Sequence, residues 1–229
     1  MSLLFVLLLA RSILPVEAGR AQPDFERLIG SPGRLSAYWH DQRWTAGDEY
    51  ACALYAQAAV LEALGYNFER ELADMRALGQ RDGWYSPQSG TIGLGQPLRA
   101  KDVPFEVFGS PIVPPISPAR ALARLQRALL AGRYPLVNLD AQRLSYYHGS
   151  AIRWHTLWVT GMRLDAAGHV ITIIASDSYR GAAVEYPVDE FMAAWGSVEF
   201  NYYAIFVEDS RRAEKRLVEI DPVRISPAL

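Results

Sequence analysis

The pattern of hydrophobic residues changes once along the chain, near Tyr134. Before that point lie three helix-like segments, which end close to Gly65, Gly79 and Gly132. After it come short runs rich in β-branched and aromatic residues, separated by turn residues. Because the helices come first and the strands follow without alternating, this order predicts an α+β fold, with N-terminal helices packed on a C-terminal antiparallel β-sheet.

The boundaries follow from the spacing of apolar residues and from the positions of glycine and proline. Helices are predicted over 51–64, 67–79, 117–132 and 188–196. Strands are predicted over 104–108, 134–139, 155–162, 170–176 and 202–207, with a tight turn at 165–168. We predict a linker or short helix over 24–36, and a flexible loop rather than a nucleotide-binding loop over 81–95.

Composition narrows the classes of function. The chain has 229 residues, 50% of them hydrophobic, which predicts one main domain, taken as 23–209, followed by a charged tail over 210–229. A net charge of −2 without a dense basic run does not favour a nucleic-acid partner. No pair of histidines or cysteines has metal-ligand spacing, so we predict neither a metal nor a cofactor.

The first 22 residues contain an apolar run that Arg11 ends and are too short to form a stable membrane span. They fit two interpretations equally. One is a secretory signal peptide, with a loosely matched cleavage site near Ala18 or Ala21, which would make the protein secreted or attached to the cell surface. The other is an apolar terminal segment packed on a cytoplasmic domain.

Cys52 is the only cysteine, and it stands at the start of the first predicted helix. The positive end of the helix dipole and the unpaired N–H groups there favour a thiolate over a thiol. Single cysteines are more often small buried hydrophobic residues. A reactive role therefore requires a base and a group that orients the base.

Of the four histidines, His155 is the best candidate for that base, because it opens a predicted strand where its side chain can face a cleft. Asp177 closes the next strand, where a neighbouring carboxylate could orient the imidazole. Two alternatives remain open. Asp177 could instead cap the turn that follows it, and His148 could be the base in place of His155. His40 and His169 fit surface positions.

The order of these features resembles the papain-like cysteine peptidases: a cysteine heading a helix, a distant histidine in HisThrLeuTrpValThrGly, an aspartate at a strand end and a final TyrTyrAlaIlePheVal strand. Within them it is most similar to the double-glycine, bacteriocin-processing branch. The resemblance implies a papain-like fold in which Cys52 is the nucleophile, His155 the general base and acid, and Asp177 the orienting residue. It also implies an oxyanion-binding glutamine, for which Gln42, ten positions before Cys52, is the candidate.

The resulting hypothesis is a thiol-dependent hydrolase that cleaves a peptide or amide bond in a peptide or protein substrate. Aromatic residues in the predicted loops could grip an extended ligand, and we take Trp44, Trp84, Tyr85 and Trp154 as substrate-binding candidates. The long interval before the cysteine leaves a second hypothesis open, an inactive module that binds a peptide or other ligand in this aromatic cleft. Acyl transfer on the same three residues is a third.

Overall fold

The computed structural model describes residues 25–91 and 93–209, without the side chains of Phe25, Glu26 and Trp44. The N-terminal segment 1–22 and the charged tail 210–229 lie outside the described residues. Helices and one antiparallel sheet of seven strands form an α+β structure, as the sequence predicted.

Helices and strands follow one another in chain order. The helices are α1 (Pro32–Leu35), α2 (Cys52–Ala63), α3 (Phe68–Asp82), α4 (Gln96–Arg99), α5 (Pro118–Leu130) and α6 (Val188–Trp195). The strands are β1 (Phe25–Gly30), β2 (Tyr85–Ser86), β3 (Gly90–Thr91), β4 (Phe105–Phe108), β5 (Tyr134–Asp140), β6 (Trp154–Asp165), β7 (Val170–Asp177), β8 (Gly181–Pro187) and β9 (Ala204–Val207). Short 3-10 turns cover 36–38, 42–44, 141–143 and 145–147.

Strand β6 organises the main sheet, whose order is β4-β9-β5-β6-β7-β8. With 12 residues β6 is long enough to pair with β5 through its first half and with β1 through its second half, while β7 pairs along its other edge. β2 and β3 form a separate small hairpin. The start of β6, with His155, is therefore paired with β5, and the pairing of β6 with β7 begins at Trp158, opposite Ser176.

Side chains alternate along β6 between two hydrophobic cores, because successive residues of a strand point to opposite faces. Trp158 packs in the core that contains α2 and α3, while Leu157 and Val159 pack in the core that contains α5 and α6. Helix α2 has buried residues all around its axis, which is the pattern of a helix enclosed by other elements. The sheet therefore holds α2 firmly against β6.

Two strands were not predicted, and one predicted helix is longer than expected. In the segment 24–36, predicted as a linker or short helix, residues 25–30 form β1 and the short helix α1 occupies 32–35. Residues 181–187 form β8, which the sequence analysis missed. Helix α3 continues past Gly79 to Asp82 and ends at Gly83, whose φ is 75°. Gly79 is small for a packing reason, since a Cβ there would lie 2.5 Å from the Cβ of Tyr85. The end of α3 and the two-residue strands β2 and β3 occupy part of the predicted loop 81–95, and α4 begins directly after it at Gln96.

Two glycines with positive φ allow a test of the packing between β1 and β6. Gly30 has φ +92° and a Cβ there would lie 2.4 Å from the Thr160 carbonyl oxygen, whereas Gly168 has φ +84° and open space around it. Gly168→Ala should lower the free energy of unfolding by about 1–2 kcal/mol from backbone strain alone. Gly30→Ala has the same backbone strain and also forces a Cβ against the Thr160 carbonyl oxygen, so its free energy of unfolding should fall by about 3 kcal/mol or more. Denaturant titration measures both, and equal losses would contradict the close contact.

Candidate active site

Cys52 is the first residue of α2 and is partly exposed. The turn before it is closed by backbone hydrogen bonds from Asp48 N to Thr45 O and from Ala51 N to Asp48 O. No side chain caps the helix, and the N–H of Cys52 has no acceptor among the described residues. The helix start therefore presents an unpaired donor and the positive end of its dipole beside the thiol.

His155 is the second residue of β6, and its side chain is fully buried. Its Nε2 lies 2.9 Å from Asp177 Oδ1, and Asp177 ends the neighbouring strand β7. Its Nδ1 is also buried and has no hydrogen-bond partner within normal geometry among the described residues. Because Asp177 occupies Nε2, Nδ1 is the nitrogen that remains for proton exchange with Cys52.

The thiol and the imidazole change each other's ionisation. Burial on its own raises the pKa of Cys52, but the nearby side chain and charge of His155, together with interactions with Thr156, outweigh it and bring that pKa below its usual value. Burial likewise lowers the pKa of His155, but the charge and hydrogen bond of Asp177 and the neighbouring thiolate raise it to about 10. Both directions favour a thiolate–imidazolium pair near neutral pH.

Asp177 is completely buried, which would ordinarily favour its neutral form. Burial on its own raises its pKa, but the His155 charge and hydrogen bonds from His155, Tyr147 and Tyr186 lower it to about 2. The backbone N–H of Tyr179 donates to the same carboxylate at 2.8 Å. Asp177 is therefore a carboxylate at any pH near neutrality. The sequence analysis missed both tyrosine hydroxyls. The only signal for Tyr147 was its place among aromatic residues of the predicted loops, and Tyr186, in the missed strand β8, had none.

Gln42 is buried and lies between the loop after Asp177 and the loop before Cys52. Its backbone N–H donates to Ser178 O at 3.1 Å, and the Ser178 hydroxyl donates to its Oε1. Its Nε2 donates to Asp48 O at 2.9 Å. The ten-residue interval is thus taken up by a loop that folds back. One of the two amide N–H groups of Gln42 is used to hold that loop.

A second set of contacts holds the same loop, and the sequence analysis did not identify it. The buried carboxylate of Asp48 accepts hydrogen bonds from Tyr55 Oη at 2.8 Å and from Arg76 Nη2. Tyr55 projects from α2 and Arg76 from α3, so two helices fix the turn from which Cys52 emerges. The large side chain of Tyr55 has a structural use at this position.

The four aromatic substrate-binding candidates occupy different settings. Trp154, next to His155, is 62% exposed, which suits contact with a ligand. Tyr85 is buried in the core of α2 and α3, with Trp84 packed against that core. The side chain of Trp44 lies outside what the structure describes. Trp154 is therefore the member of this group whose described side chain is exposed, at the position before His155 in β6.

The other histidines lie elsewhere. His148 is exposed, and His169 lies in the exposed hairpin turn with Asp165. His40 pairs with Glu62 at 2.7 Å and stacks on Phe68. A groove of about 280 Å³ lies between β1 and the end of α5, and none of Cys52, His155 and Asp177 lines it. We locate the candidate site by its chemistry and not by the size of this groove.

No protein-family model matches the chain, and no curated protein reaches significant similarity to it. Within 25–91 and 93–209, no cluster of three or more histidine, cysteine or acidic residues is suited to hold a metal ion. In the same ranges no helix has both the length and the apolar character needed to cross a membrane.

The ionisation of Cys52 can be measured directly, because it is the only thiol. We expect iodoacetamide to alkylate the folded protein at a rate that stays high well below the ordinary thiol pKa of about 8.5, since the thiolate persists there. His155→Ala should remove this low-pH reactivity, and His148→Ala, at an exposed histidine, should preserve it. Labelling that rises only near pH 8.5 in the wild-type protein would mean that Cys52 is not paired with His155.

Proposed function

We propose that this protein is a papain-like cysteine hydrolase that cleaves a peptide or amide bond through Cys52, His155 and Asp177. The observation that carries the proposal is the position of the His155 ring, with Nε2 held by Asp177 Oδ1 at 2.9 Å and Nδ1 left for the Cys52 thiol. The ordinary requirements of a thiol nucleophile are a base and an acceptor that orients it.

Acylation uses the ion pair directly. The Cys52 thiolate attacks the carbonyl carbon, a C–S bond forms, and the carbonyl oxygen becomes an oxyanion. The unpaired N–H of Cys52 at the start of α2 can donate to that oxygen, with the second N–H of Gln42 as a further donor. His155 then transfers its Nδ1 proton to the leaving amine as the C–N bond breaks.

Deacylation restores the site by the same groups. A water molecule gives a proton to His155 Nδ1 and attacks the thioester carbonyl carbon. The C–S bond breaks, the acid product leaves, and Cys52 is again a thiolate beside a protonated His155. Asp177 keeps the ring oriented in both steps and stabilises its positive charge without taking up the proton.

A purely structural role for these residues is hard to reconcile with their cost. Removing ionised groups from water costs several kcal/mol per ion, and well-packed apolar side chains of similar size are often as stable or more so. His155 and Asp177 nevertheless have side chains with no exposed surface. Strongly shifted pKa values in one cluster with a partly exposed thiol are typical of reactive sites.

The architecture also supports the papain-like part of the proposal. A helix that begins with Cys52 packs against β6, which carries His155 and pairs with β7, the strand that ends at Asp177. We further propose that the protein is similar to the double-glycine peptidase branch and that its substrate is a peptide or protein. The exposed indole of Trp154, next to His155, offers an apolar surface for a substrate side chain.

The second candidate is a binding module that has this fold but does not hydrolyse its ligand. One observation favours it: Gln42 Nε2 donates to Asp48 O and so supports a loop, which leaves a single side-chain N–H for an oxyanion. In that case Trp154 and the neighbouring loops would bind a peptide without chemistry.

A mixed peptide library analysed by mass spectrometry separates the two. The wild-type protein should cleave a subset of peptides, and Cys52→Ser should reduce the rate by about a thousandfold or more, because the hydroxyl is not ionised by His155. Thermal unfolding of Cys52→Ser should match the wild-type protein and serves as the control. Peptide binding by both proteins with cleavage by neither would favour the binding module, and cleavage that survives in Cys52→Ser would exclude this thiol as nucleophile.

A further inference from the structure

The carboxylate of Asp177 has a donor for each of its lone-pair positions. Oδ1 accepts from His155 Nε2 at 2.9 Å and from the Tyr179 backbone N–H at 2.8 Å. Oδ2 accepts from the hydroxyls of Tyr147, at 2.6 Å, and Tyr186. A carboxylate offers about four acceptor sites, so this group is completely hydrogen-bonded without water. Oδ1 therefore binds the histidine, and Oδ2 binds the two tyrosine hydroxyls.

We propose that Tyr147 and Tyr186 are positioning residues whose hydroxyls hold Asp177 as an oriented carboxylate and thereby maintain the Cys52–His155 ion pair. This inference rests on the proposed function and adds two residues to its machinery. They come from separate parts of the chain, the 3-10 turn 145–147 and strand β8. Both residues are completely buried.

Chemistry explains why hydroxyl groups suit this position. Burial favours the neutral form of an acid, so a water-excluded Asp177 with only one partner would tend to take up a proton. Hydrogen bonds donated to the ionised form oppose that tendency. Burial and the nearby Asp177 charge raise the pKa of both Tyr147 and Tyr186, so each stays a protonated donor. Neutral donors also leave the negative charge of Asp177 available to His155.

Other charged groups near Asp177 do not replace the tyrosines. The Arg180 guanidinium lies over the Tyr147 ring at 4.8 Å and donates to Tyr146 O, and Arg43 pairs with Asp41. Tyr179 directs its hydroxyl to Glu49 O at 2.8 Å and gives Asp177 only its backbone N–H. Among the described residues, the titratable and charged groups that face Asp177 or its partners are Cys52, His155, Tyr147, Tyr179, Tyr186, Arg43 and Arg180, with Glu49 and Tyr50 near Tyr179 and Tyr146 against Tyr186.

The test uses Tyr147→Phe, Tyr186→Phe and the double variant, with the pH dependence of Cys52 alkylation as the readout. Losing a donor raises the pKa of Asp177, so as the pH falls the carboxylate is neutralised earlier, His155 holds its proton less tightly, and the thiolate is lost at a higher pH. The acidic limb, meaning the pH range in which alkylation slows as the thiolate is protonated, should move up by about half to one pH unit in each single variant and about one to two units in the double variant. Tyr146→Phe is the matched control, since Tyr146 is half exposed and its ring would remain against Tyr186. It should leave the limb unchanged.

The same substitution made in an Asp177→Asn protein separates an electrostatic role of the tyrosine from a structural one. Asp177→Asn removes the charge but keeps the shape, so Tyr147→Phe added to Asp177→Asn should move the limb no further. A tyrosine that only fills space would lower stability without moving the limb, and that result would overturn the inference, as would a shift of equal size in the Asp177→Asn background. If the wild-type protein has its acidic limb at low pH and the double variant has it at the same pH, this inference alone is overturned. A wild-type protein without low-pH reactivity overturns the proposed function as well.

Discussion

The hydrogen bond between His155 Nε2 and Asp177 Oδ1 lies where both side chains have no exposed surface, and this is the constraint on which the arrangement of the site depends. A charge in such a place is tolerated only where enough donors and an opposite charge surround it. The protein supplies them from β6, β8, a 3-10 turn and the loop after β7. Elements far apart in sequence must therefore meet around one carboxylate.

The sheet positions His155 and Asp177, and the helices position Cys52. Strand β6 is held along both edges, which fixes His155 against Asp177 in the direction along the strands. Helix α2 is buried around its whole circumference, and its first residue is Cys52. The loop before Cys52 is tied by Gln42 to the loop after Asp177 and by Asp48 to α2 and α3. The thiol and the imidazole consequently lie on a helix and a strand that pack against each other, and the loops around them are joined by hydrogen bonds.

Much of the fold was accessible from local patterns. Helices α2, α5 and α6 and strands β5, β6, β7 and β9 were predicted within a few residues, because each shows strong periodicity or ends at a glycine, proline or turn. Strands β1 and β8 were missed, since the first is stabilised by pairing with β6 and the second by pairing with β7. Pairing between distant segments leaves little trace in either local sequence.

The sequence by itself determined the α+β class, the position of Cys52 at a helix start, and the placing of His155 and Asp177 on neighbouring strands. These follow from local chain geometry and from the order of elements. Tertiary structure alone decided that Tyr147 and Tyr186 meet at Asp177 Oδ2, that Gln42 folds back over ten residues to Asp48, and that Trp154 is exposed while Tyr85 is buried. The physical reason is that burial and hydrogen-bond partners arise from contacts between segments far apart in the chain, whereas periodicity reports only which face of its own segment a residue occupies.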